Sequence, residues 1–272
     1  MLFRSLHKES SLHPPSKLLL RCLVTTDLCV GLITESLAVS HCIFVVNEHW
    51  NICRYVSEAS SVIAIILCVV SLFTVTAISV DRLLALLLGL RYRQVVTLKR
   101  TYVIVITVWV VSAAFSATWF WNPLITFWYA IITISLCLAT SIFSYTKIFL
   151  ILRHHQNEAQ GHVQQPNQVN QLNIARYKKA VSTAIWLQLT LVACYLPYCI
   201  VVALMANIGL YASVYRAFIY TGTLTYLNSS LNPILYCWKI DEVRQAVKDT
   251  IDRKSTRLNS SHRSLSRMPS SA

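Results

Sequence analysis

The chain has 272 residues, of which 55% are hydrophobic and 13% are charged, and its formal net charge is +13. A mean hydropathy of +0.53 is too high for a soluble domain of this size, so the composition favours an integral membrane protein. The positions of the basic residues argue against a nucleic-acid partner, because these residues stand beside apolar runs rather than on one soluble face.

Six apolar runs are long enough to cross about 30 Å of hydrocarbon as helices of about 20 residues. They cover residues 18–46, 58–90, 101–120, 123–152, 175–206 and 213–238. Strand-like alternation is missing from the sequence, and helices satisfy every backbone polar group in lipid. We therefore predict an all-α membrane protein whose transmembrane bundle covers residues 18–238.

Basic residues are concentrated in alternate connecting segments. They precede the first span and follow the second and fourth spans, as Arg4, Lys8, Lys17, Arg91, Arg93, Lys99, Arg100, Arg153, Arg176, Lys178 and Lys179. By the positive-inside rule, these segments and both termini are cytoplasmic. We therefore predict a multi-pass membrane protein in which residues 1–17 are cytoplasmic.

Two carboxyl groups fall within the first predicted span. Asp27, in the stretch "LVTTDLCVGL", lies near the middle of the span, where an ionisable residue is costly and tends to mark function. Glu35 follows nearer the outer surface. Glu35 is compatible with two interpretations, a functional group or an interfacial carboxylate held by water.

The later spans contain further residues that are unusual in an apolar helix. Asp81 and Arg82 stand together where the second span meets the cytoplasm, and alone they would indicate an arginine that snorkels to the interface. Trp109 lies within the third span, Pro197 within the fifth, and "NSSLNPILY" within the last. In this order, these elements resemble the rhodopsin-like G-protein-coupled receptors.

The resemblance begins with that family's second helix, whose buried aspartate matches Asp27. The Asp/Glu-Arg-Tyr motif that ends the third helix matches Asp81 and Arg82, with Leu83 in place of tyrosine. The single tryptophan of the fourth helix matches Trp109, and a tyrosine of the fifth matches Tyr145.

The resemblance continues through the last two spans. The Cys-Trp-x-Pro motif of the sixth family helix matches Cys194 and Pro197, with Tyr195 in the tryptophan position. The Asn-Ser-x-x-Asn-Pro-x-x-Tyr motif of the seventh is present in full, as Asn228, Ser229, Asn232, Pro233 and Tyr236.

The resemblance implies a hydrated pocket that holds a sodium ion in the resting state of the family. Its members here are expected to be Asp27, Ser71, Asn228, Ser229 and Asn232. A carboxylate with neutral oxygens suits a hard monovalent cation, and no other cofactor is expected. Collapse of the pocket would act as an activation switch together with Pro233, Tyr236, Tyr195 and Pro197.

The resemblance also implies a heterotrimeric G protein as the cytoplasmic partner. Arg82 is expected to pair with Asp81 at rest and to reach the G protein, beside Tyr145 and Tyr236, when the fifth span swings outward. The start of that span reads "ARYKKAVST" and lacks the carboxylate of a second resting contact. We therefore expect raised basal activity.

The resemblance also bears on the two ends of the chain. Members of the family lie in the plasma membrane and have seven spans. We therefore expect a location in the plasma membrane, a missing first family helix, and residues 1–17 to form the first cytoplasmic loop. Residues 239–252, "KIDEVRQAVKDTID", are predicted to form a short amphipathic helix on the inner membrane face. Residues 253–272 are rich in serine and arginine and are predicted to be a disordered tail, either an arrestin-binding segment or non-native sequence.

The ligand class is the least defined expectation. Ala64 stands where amine receptors carry an aspartate, so a biogenic amine is not expected. Cys53 lies about one turn from the position of the usual outer disulfide, and a bridge between Cys42 and Cys53 stays open.

A short second outer loop and Cys137 in the place of a proline resemble the melanocortin, lysophospholipid, cannabinoid and adenosine receptors. An extracellular small molecule, lipid or peptide is therefore expected as the ligand. Glu35 and Glu58, near the outer mouth, leave room for a cationic peptide.

Other classes of protein fit the sequence less well. A six-span channel or transporter would be expected to show a glycine-rich filter or an internal repeat, and the chain has five glycines in all. An enzyme is not expected, because the histidines stand mostly in loops without a hydrolase motif. The main alternative is a truncated, non-signalling receptor form that modulates full-length partners.

Overall fold

The computed structural model describes residues 13–161, 168–209 and 211–239. The predicted tail lies outside this part of the chain, as do nearly all of the predicted amphipathic helix and residues 1–12 of the predicted cytoplasmic loop. Pro233 and Tyr236 belong to a described helix, but the predictions for their side chains also lie outside the described part.

Helices account for almost all of the described residues. The first span consists of α1 (Pro14–Cys29), a π-helical turn (Val30–Thr34) and α2 (Glu35–Val46). The second span is α3 (Trp50–Leu88), which leads through a 3-10 turn (Gly89–Arg91) into the short α4 (Tyr92–Val95). The remaining helices are α5 (Leu98–Ala117), with a 3-10 turn at Thr118–Phe120, then α6 (Pro123–Gly161), α7 (Gln168–Ile208) and α8 (Ala212–Lys239).

Five helical stretches in the described part of the chain are long and apolar enough to cross a membrane: Pro14–Val46, Trp50–Val95, Leu98–Phe120, Pro123–His154 and Gln188–Ile208. Helix α8 is about 42 Å long at 1.5 Å per residue, so it also has the length of a span. Its threonines, asparagines and serines lower its hydropathy, and it packs on α7 and α1. The predicted all-α membrane fold is confirmed.

The central helix of the bundle is α3, which contacts α1, α2, α5 and α6. The largest apolar core joins α1, α3, α6 and α7, and Leu23, Leu72 and Leu191 lie at its centre with at most 1% of their surface exposed. Many apolar side chains on the outer faces of the helices are exposed, as expected of surfaces that contact lipid.

Helix α3 begins earlier than the predicted residue 58. The stretch "WNICRYVS" contains no helix breaker, and Arg54 and Glu58, one turn apart, form an ion pair of 3.1 Å. Cys53 is therefore a buried helical residue, Cys42 is exposed on α2, and both are free thiols. The Cys42–Cys53 bridge that the sequence left open is not formed.

The cytoplasmic end of α3 is set by one glycine. Gly89 has a φ of +49°, a backbone conformation that glycine adopts without a Cβ clash. The chain turns there, and α4 follows at once. This turn brings Tyr92 back beneath the end of α3, next to Asp81.

Candidate functional site

The carboxyl group of Asp27 is the centre of a polar junction within the apolar bundle. Asp27 is 5% exposed. Its Oδ1 accepts a hydrogen bond of 2.9 Å from the Ser71 hydroxyl on α3, and its Oδ2 accepts one of 3.1 Å from the Asn232 side-chain amide on α8. One carboxyl group therefore links the first, second and last spans.

The local sequence of α8 explains how it supplies this junction. Asn228, Ser229 and Asn232 lie within about one turn of each other, so their side chains emerge from neighbouring positions on the helix. All three are at most 3% exposed. The neighbouring Thr26 donates its hydroxyl to the carbonyls of Cys22 and Leu23 on its own helix, so the hydrogen bonds to Asp27 come from the other spans.

Several polar atoms around Asp27 have no hydrogen-bond partner within the described part of the chain. They include both side-chain amide atoms of Asn228 and the Ser229 hydroxyl. Ser229 lies beside the Asp27 carboxyl without meeting hydrogen-bond geometry. A buried polar group left without a partner costs about 1–3 kcal/mol, so this region is suited to hold water molecules or a cation.

The oxygen atoms at this junction are suitable ligands for a sodium ion. Asp27 offers a carboxylate, and Ser71, Ser229 and Asn228 offer neutral oxygens, two of which are buried without a partner. Hard monovalent and divalent cations prefer oxygen ligands of these kinds. Of the five residues that the resemblance assigned to a sodium pocket, the structure brings Ser71, Ser229 and Asn232 to Asp27, and Asn228 is buried on α8 one residue before Ser229.

Tyr195, a residue of α7, contacts α3 close to the Asp27 junction. It is 3% exposed, and its hydroxyl donates a long hydrogen bond of 3.5 Å to the backbone carbonyl of Cys68, one turn outward from Ser71 on α3. Pro197 follows two residues later inside α7, where it removes one helical hydrogen bond and creates a point of bending. Of the two predicted switch residues of α7, Tyr195 therefore lies beside α3, about one turn outward of Ser71.

A second polar cluster surrounds Asp81 at the cytoplasmic end of α3. Asp81 is 5% exposed. Its Oδ1 accepts a hydrogen bond of 2.6 Å from the Tyr92 hydroxyl, and its Oδ2 accepts one of 2.8 Å from the Ser16 hydroxyl. Ser16 and Tyr92 also contact each other at 3.2 Å, and the ring of His13 packs on that of Tyr92 with centroids 5.2 Å apart.

The expected resting pair between Arg82 and Asp81 is not formed, and this expectation is corrected. Both carboxylate oxygens of Asp81 are occupied by the Ser16 and Tyr92 hydroxyls. Adjacent residues on an α-helix point about 100° apart, so Arg82 faces a different direction and is exposed. Neither Ser16 nor Tyr92 was selected from the sequence, although Gly89 marks the turn that brings Tyr92 back.

Tyr145 lies on α6 close to this cytoplasmic cluster. It is 8% exposed and packs with Leu83, Ile148 and Leu152. Its hydroxyl lies near Ser79 and within electrostatic reach of Arg82. The structure therefore brings Arg82 and Tyr145 to one end of the bundle, as expected for residues that meet the same partner.

The two carboxyl groups considered for ligand binding lie elsewhere. Glu35 is partly exposed and contacts the Ser230 hydroxyl of α8 at 3.5 Å. Glu58 pairs with Arg54 on the exposed surface of α3. The structure places neither of them in the Asp27 junction, and their role in ligand binding stays a prediction.

The family model described as "7 transmembrane receptor (rhodopsin family)" matches residues 3–123 and 117–236. The chain belongs to this family. The match covers the Asp27 junction, the Asp81 cluster and the last span, so the resemblance stated from the motifs is confirmed at the level of the family. This rhodopsin-family receptor is a multi-pass protein of the plasma membrane, and its resemblance to one receptor subgroup stays a prediction.

Proposed function

We propose that this receptor transmits an extracellular ligand signal to a heterotrimeric G protein by rearranging its helices. One observation carries the proposal: a buried carboxyl group, Asp27, links three spans through Ser71 and Asn232 while neighbouring buried polar atoms lack partners. An apolar bundle gains little stability from such a junction, because each polar group must be desolvated. A junction that can be satisfied in two ways is better suited to a switch.

The two arrangements follow from the atoms present. In one, water or a sodium ion fills the space around Asp27 and contacts Asn228 and Ser229. In the other, the spans close and these side chains bond directly to one another. Two packings that differ by a few kcal/mol are enough for a ligand to change their populations. A bound sodium ion would supply positive charge that balances Asp27 and favours the open arrangement.

The outer and inner ends of the bundle are connected through α3. The Ser71 hydroxyl donates to Asp27, the backbone carbonyl of Cys68 accepts from the Tyr195 hydroxyl, and Asp81 and Arg82 lie about two turns before the cytoplasmic end of the same helix. A change in the packing of α7 against α3 at Tyr195 would therefore reach the cytoplasmic end through a rigid helix. Pro197 gives α7 a place to bend during that change.

Arg82 is accessible to a partner at the cytoplasmic surface. Because Ser16 and Tyr92 occupy Asp81, Arg82 is exposed and free of the expected ion pair. We propose that Arg82 and Tyr145 contact the inserted helix of the G protein. The same observation supports raised basal activity, since the resting contact that would restrain Arg82 is not formed.

The ligand is proposed to be an extracellular small molecule, lipid or peptide, and arrestin is proposed as a second cytoplasmic partner. These assignments rest on the family alone.

The test is basal nucleotide exchange, without ligand, on a panel of purified G proteins with the receptor in lipid nanodiscs. We expect the receptor to accelerate exchange on at least one G protein and Arg82→Ala to remove most of that acceleration. Arg54→Ala is the matched control, because Arg54 is an exposed arginine on the same helix at the opposite membrane surface. Equal exchange with the receptor and with Arg82→Ala would contradict the proposal.

A further inference from the structure

A row of aromatic side chains crosses the outer end of the bundle. This aromatic row comes from four elements: Trp119 of the 3-10 turn after α5, Phe127 of α6, Tyr198 of α7 and Phe218 of α8. The ring centroid of Phe218 lies 6.2 Å from that of Phe127 and 5.6 Å from that of Tyr198, and the Phe127 and Trp119 centroids are 6.0 Å apart. These are the distances at which aromatic rings attract each other. All four side chains are partly exposed, so the row borders an accessible surface.

One face of α8 continues the aromatic row inward. Phe218, Gly222 and Tyr226 follow each other at intervals of four residues, so they lie on one side of the helix. The Tyr198 ring packs along this side, with its Cε2 atom 4.0 Å from the place that a Cβ of Gly222 would take. A large side chain at this position would push against Tyr198. Glycine therefore keeps the width of a side chain open beside the Tyr198 ring.

Two phenol hydroxyls belong to the same region. Tyr198 and Tyr226 lie within electrostatic reach of each other and of Cys68, so α3, α7 and α8 meet there. Tyr226 precedes Asn232 by six residues, or about 9 Å along α8, on the outer side of the Asp27 junction. Neither hydroxyl has a hydrogen-bond partner within the described part of the chain. Both are therefore available to donate to an acceptor.

The helices around this region supply no charged residue at its height. Asp, Glu, Lys, Arg and His are missing from four stretches of the sequence: 59–80 of α3, 123–146 of α6, 188–208 of α7 and 217–238 of α8. In the first span, Asp27 already accepts two hydrogen bonds, and Glu35 contacts the exposed Ser230. A charged group that entered between these helices would lose its hydration without gaining a counter-charge. The region therefore disfavours both cations and anions.

We propose that the aromatic row, Gly222 and Tyr226 bind the ligand of the receptor, and that this ligand is an uncharged, planar aromatic molecule with a hydrogen-bond acceptor such as a carbonyl oxygen. Its ring stacks beside Tyr198 over Gly222, and its acceptor receives the Tyr198 and Tyr226 hydroxyls. A saturated lipid chain would leave both hydroxyls without a partner, and a cationic peptide would bring unbalanced charge. The inference rests on the proposed function in one respect, since it takes the outer end of the bundle as the ligand side.

The test measures binding to the receptor in nanodiscs, without a G protein. Tritiated 2-acetylnaphthalene is the probe, and the counts bound to empty nanodiscs are subtracted. Three unlabelled competitors keep its size: 2-naphthoate is an anion, 2-naphthylmethylammonium is a cation, and 2-acetyldecalin has a saturated, non-planar ring. We expect saturable binding that each competitor displaces about tenfold less well than unlabelled 2-acetylnaphthalene does. The cation gives the sharpest comparison, because aromatic faces alone would attract it.

Two pairs of variants locate the binding. Gly222→Leu should abolish saturable binding by filling the space beside Tyr198, whereas Gly31→Leu should keep it, because no atom lies within 4 Å of the Cβ position at Gly31. Tyr198→Phe keeps the ring and should weaken binding of the probe about tenfold, while binding of tritiated naphthalene, which has no acceptor, stays unchanged. Tyr220→Phe, on the exposed surface of α8, should change neither.

Three results would overturn the inference. They are absence of saturable binding to the unmodified receptor, displacement by any of the three competitors as good as that by 2-acetylnaphthalene, and unchanged binding to Gly222→Leu or to Tyr198→Phe. If Gly222→Leu does not fold, the comparison of Tyr198→Phe with Tyr220→Phe decides. Failure of the binding test with nucleotide exchange that still depends on Arg82 would refute the ligand class and leave the proposed function standing, and the opposite pair of results would refute the proposed function alone.

Discussion

Asp27 and Glu35 are two carboxyl groups on one membrane span, eight residues apart, and their surroundings differ in almost every respect. Asp27 is 5% exposed and accepts hydrogen bonds from two other spans. Glu35 is partly exposed, and within the described part of the chain its carboxyl group accepts one long hydrogen bond, of 3.5 Å, from Ser230. Both residues stand in similarly apolar sequence. The difference is made by the neighbouring helices, which supply donors at one depth and a nearly open surface at the other.

The largest expected effect comes from removing the Asp27 carboxyl group. Asp27→Ala leaves the Ser71 hydroxyl and the Asn232 amide buried with one partner fewer, and we expect a loss of about 2–4 kcal/mol in the free energy of unfolding. Glu35→Ala should cost less than about 1 kcal/mol, because it removes one marginal contact. Equilibrium unfolding in mixed detergent micelles measures both, and equal losses would show that the described contacts of the two groups are not what distinguishes them.

A smaller effect is expected when the carboxyl group stays and one donor is removed. Asn232→Ala deprives Asp27 of its contact from α8, and we expect a loss of about 1–3 kcal/mol in the same unfolding measurement. The matched control is Ser230→Ala on the same helix, which touches Glu35 instead and should change stability by less than about 0.5 kcal/mol. A larger loss from Ser230→Ala than from Asn232→Ala would reverse the comparison.

The Asp81 cluster extends the comparison to a third carboxyl group, which is satisfied by hydroxyl groups. Tyr92→Phe removes the hydrogen bond of 2.6 Å to Asp81, and we expect a loss of about 1–2 kcal/mol together with altered basal nucleotide exchange. Tyr102→Phe, on the exposed face of α5, should leave both quantities unchanged. Equal stability and equal basal nucleotide exchange of the two variants would show that the Tyr92 hydroxyl does not support Asp81.

The smallest effect is expected at Glu58, the carboxyl group at the membrane surface. Its ion pair with Arg54 is largely exposed, so solvent screens the attraction and Glu58→Ala should cost about 0.5 kcal/mol or less. The cost should fall further when the salt concentration rises from 0.05 to about 0.5 M, because screening shortens the range of the attraction. A salt-independent loss would mean that Glu58 has a buried role.

Much of the Asp27 junction could be predicted from the sequence. The spacing of Asn228, Ser229 and Asn232 places them near one another on a helix, and a buried aspartate in an apolar run requires partners. The family resemblance then supplied the pairing across spans, which spacing within one helix cannot provide. Only the structure shows which atoms pair, and that the Asn228 side chain has no hydrogen-bond partner among the described residues.

The Asp81 cluster shows where prediction from the sequence ended. Ser16 and Tyr92 are separated from Asp81 by 65 and 11 residues and reach it through a turn at Gly89 and the start of the first span. Serine and tyrosine at such positions are common, and their hydroxyl groups could equally have faced solvent. The Arg82–Asp81 pair that the family resemblance implied is not formed, because the Ser16 and Tyr92 hydroxyl groups occupy the two carboxylate oxygens of Asp81.

The central claim is that the Asp27 junction is a switch that controls the cytoplasmic end of the receptor. The most direct test is a sodium titration of basal nucleotide exchange on the responsive G protein, with choline keeping the ionic strength constant, for the receptor and for Asp27→Asn. The account predicts that sodium lowers exchange by the receptor and has no effect on Asp27→Asn, which keeps the shape of the side chain and loses its charge. The same decrease with both proteins would contradict it.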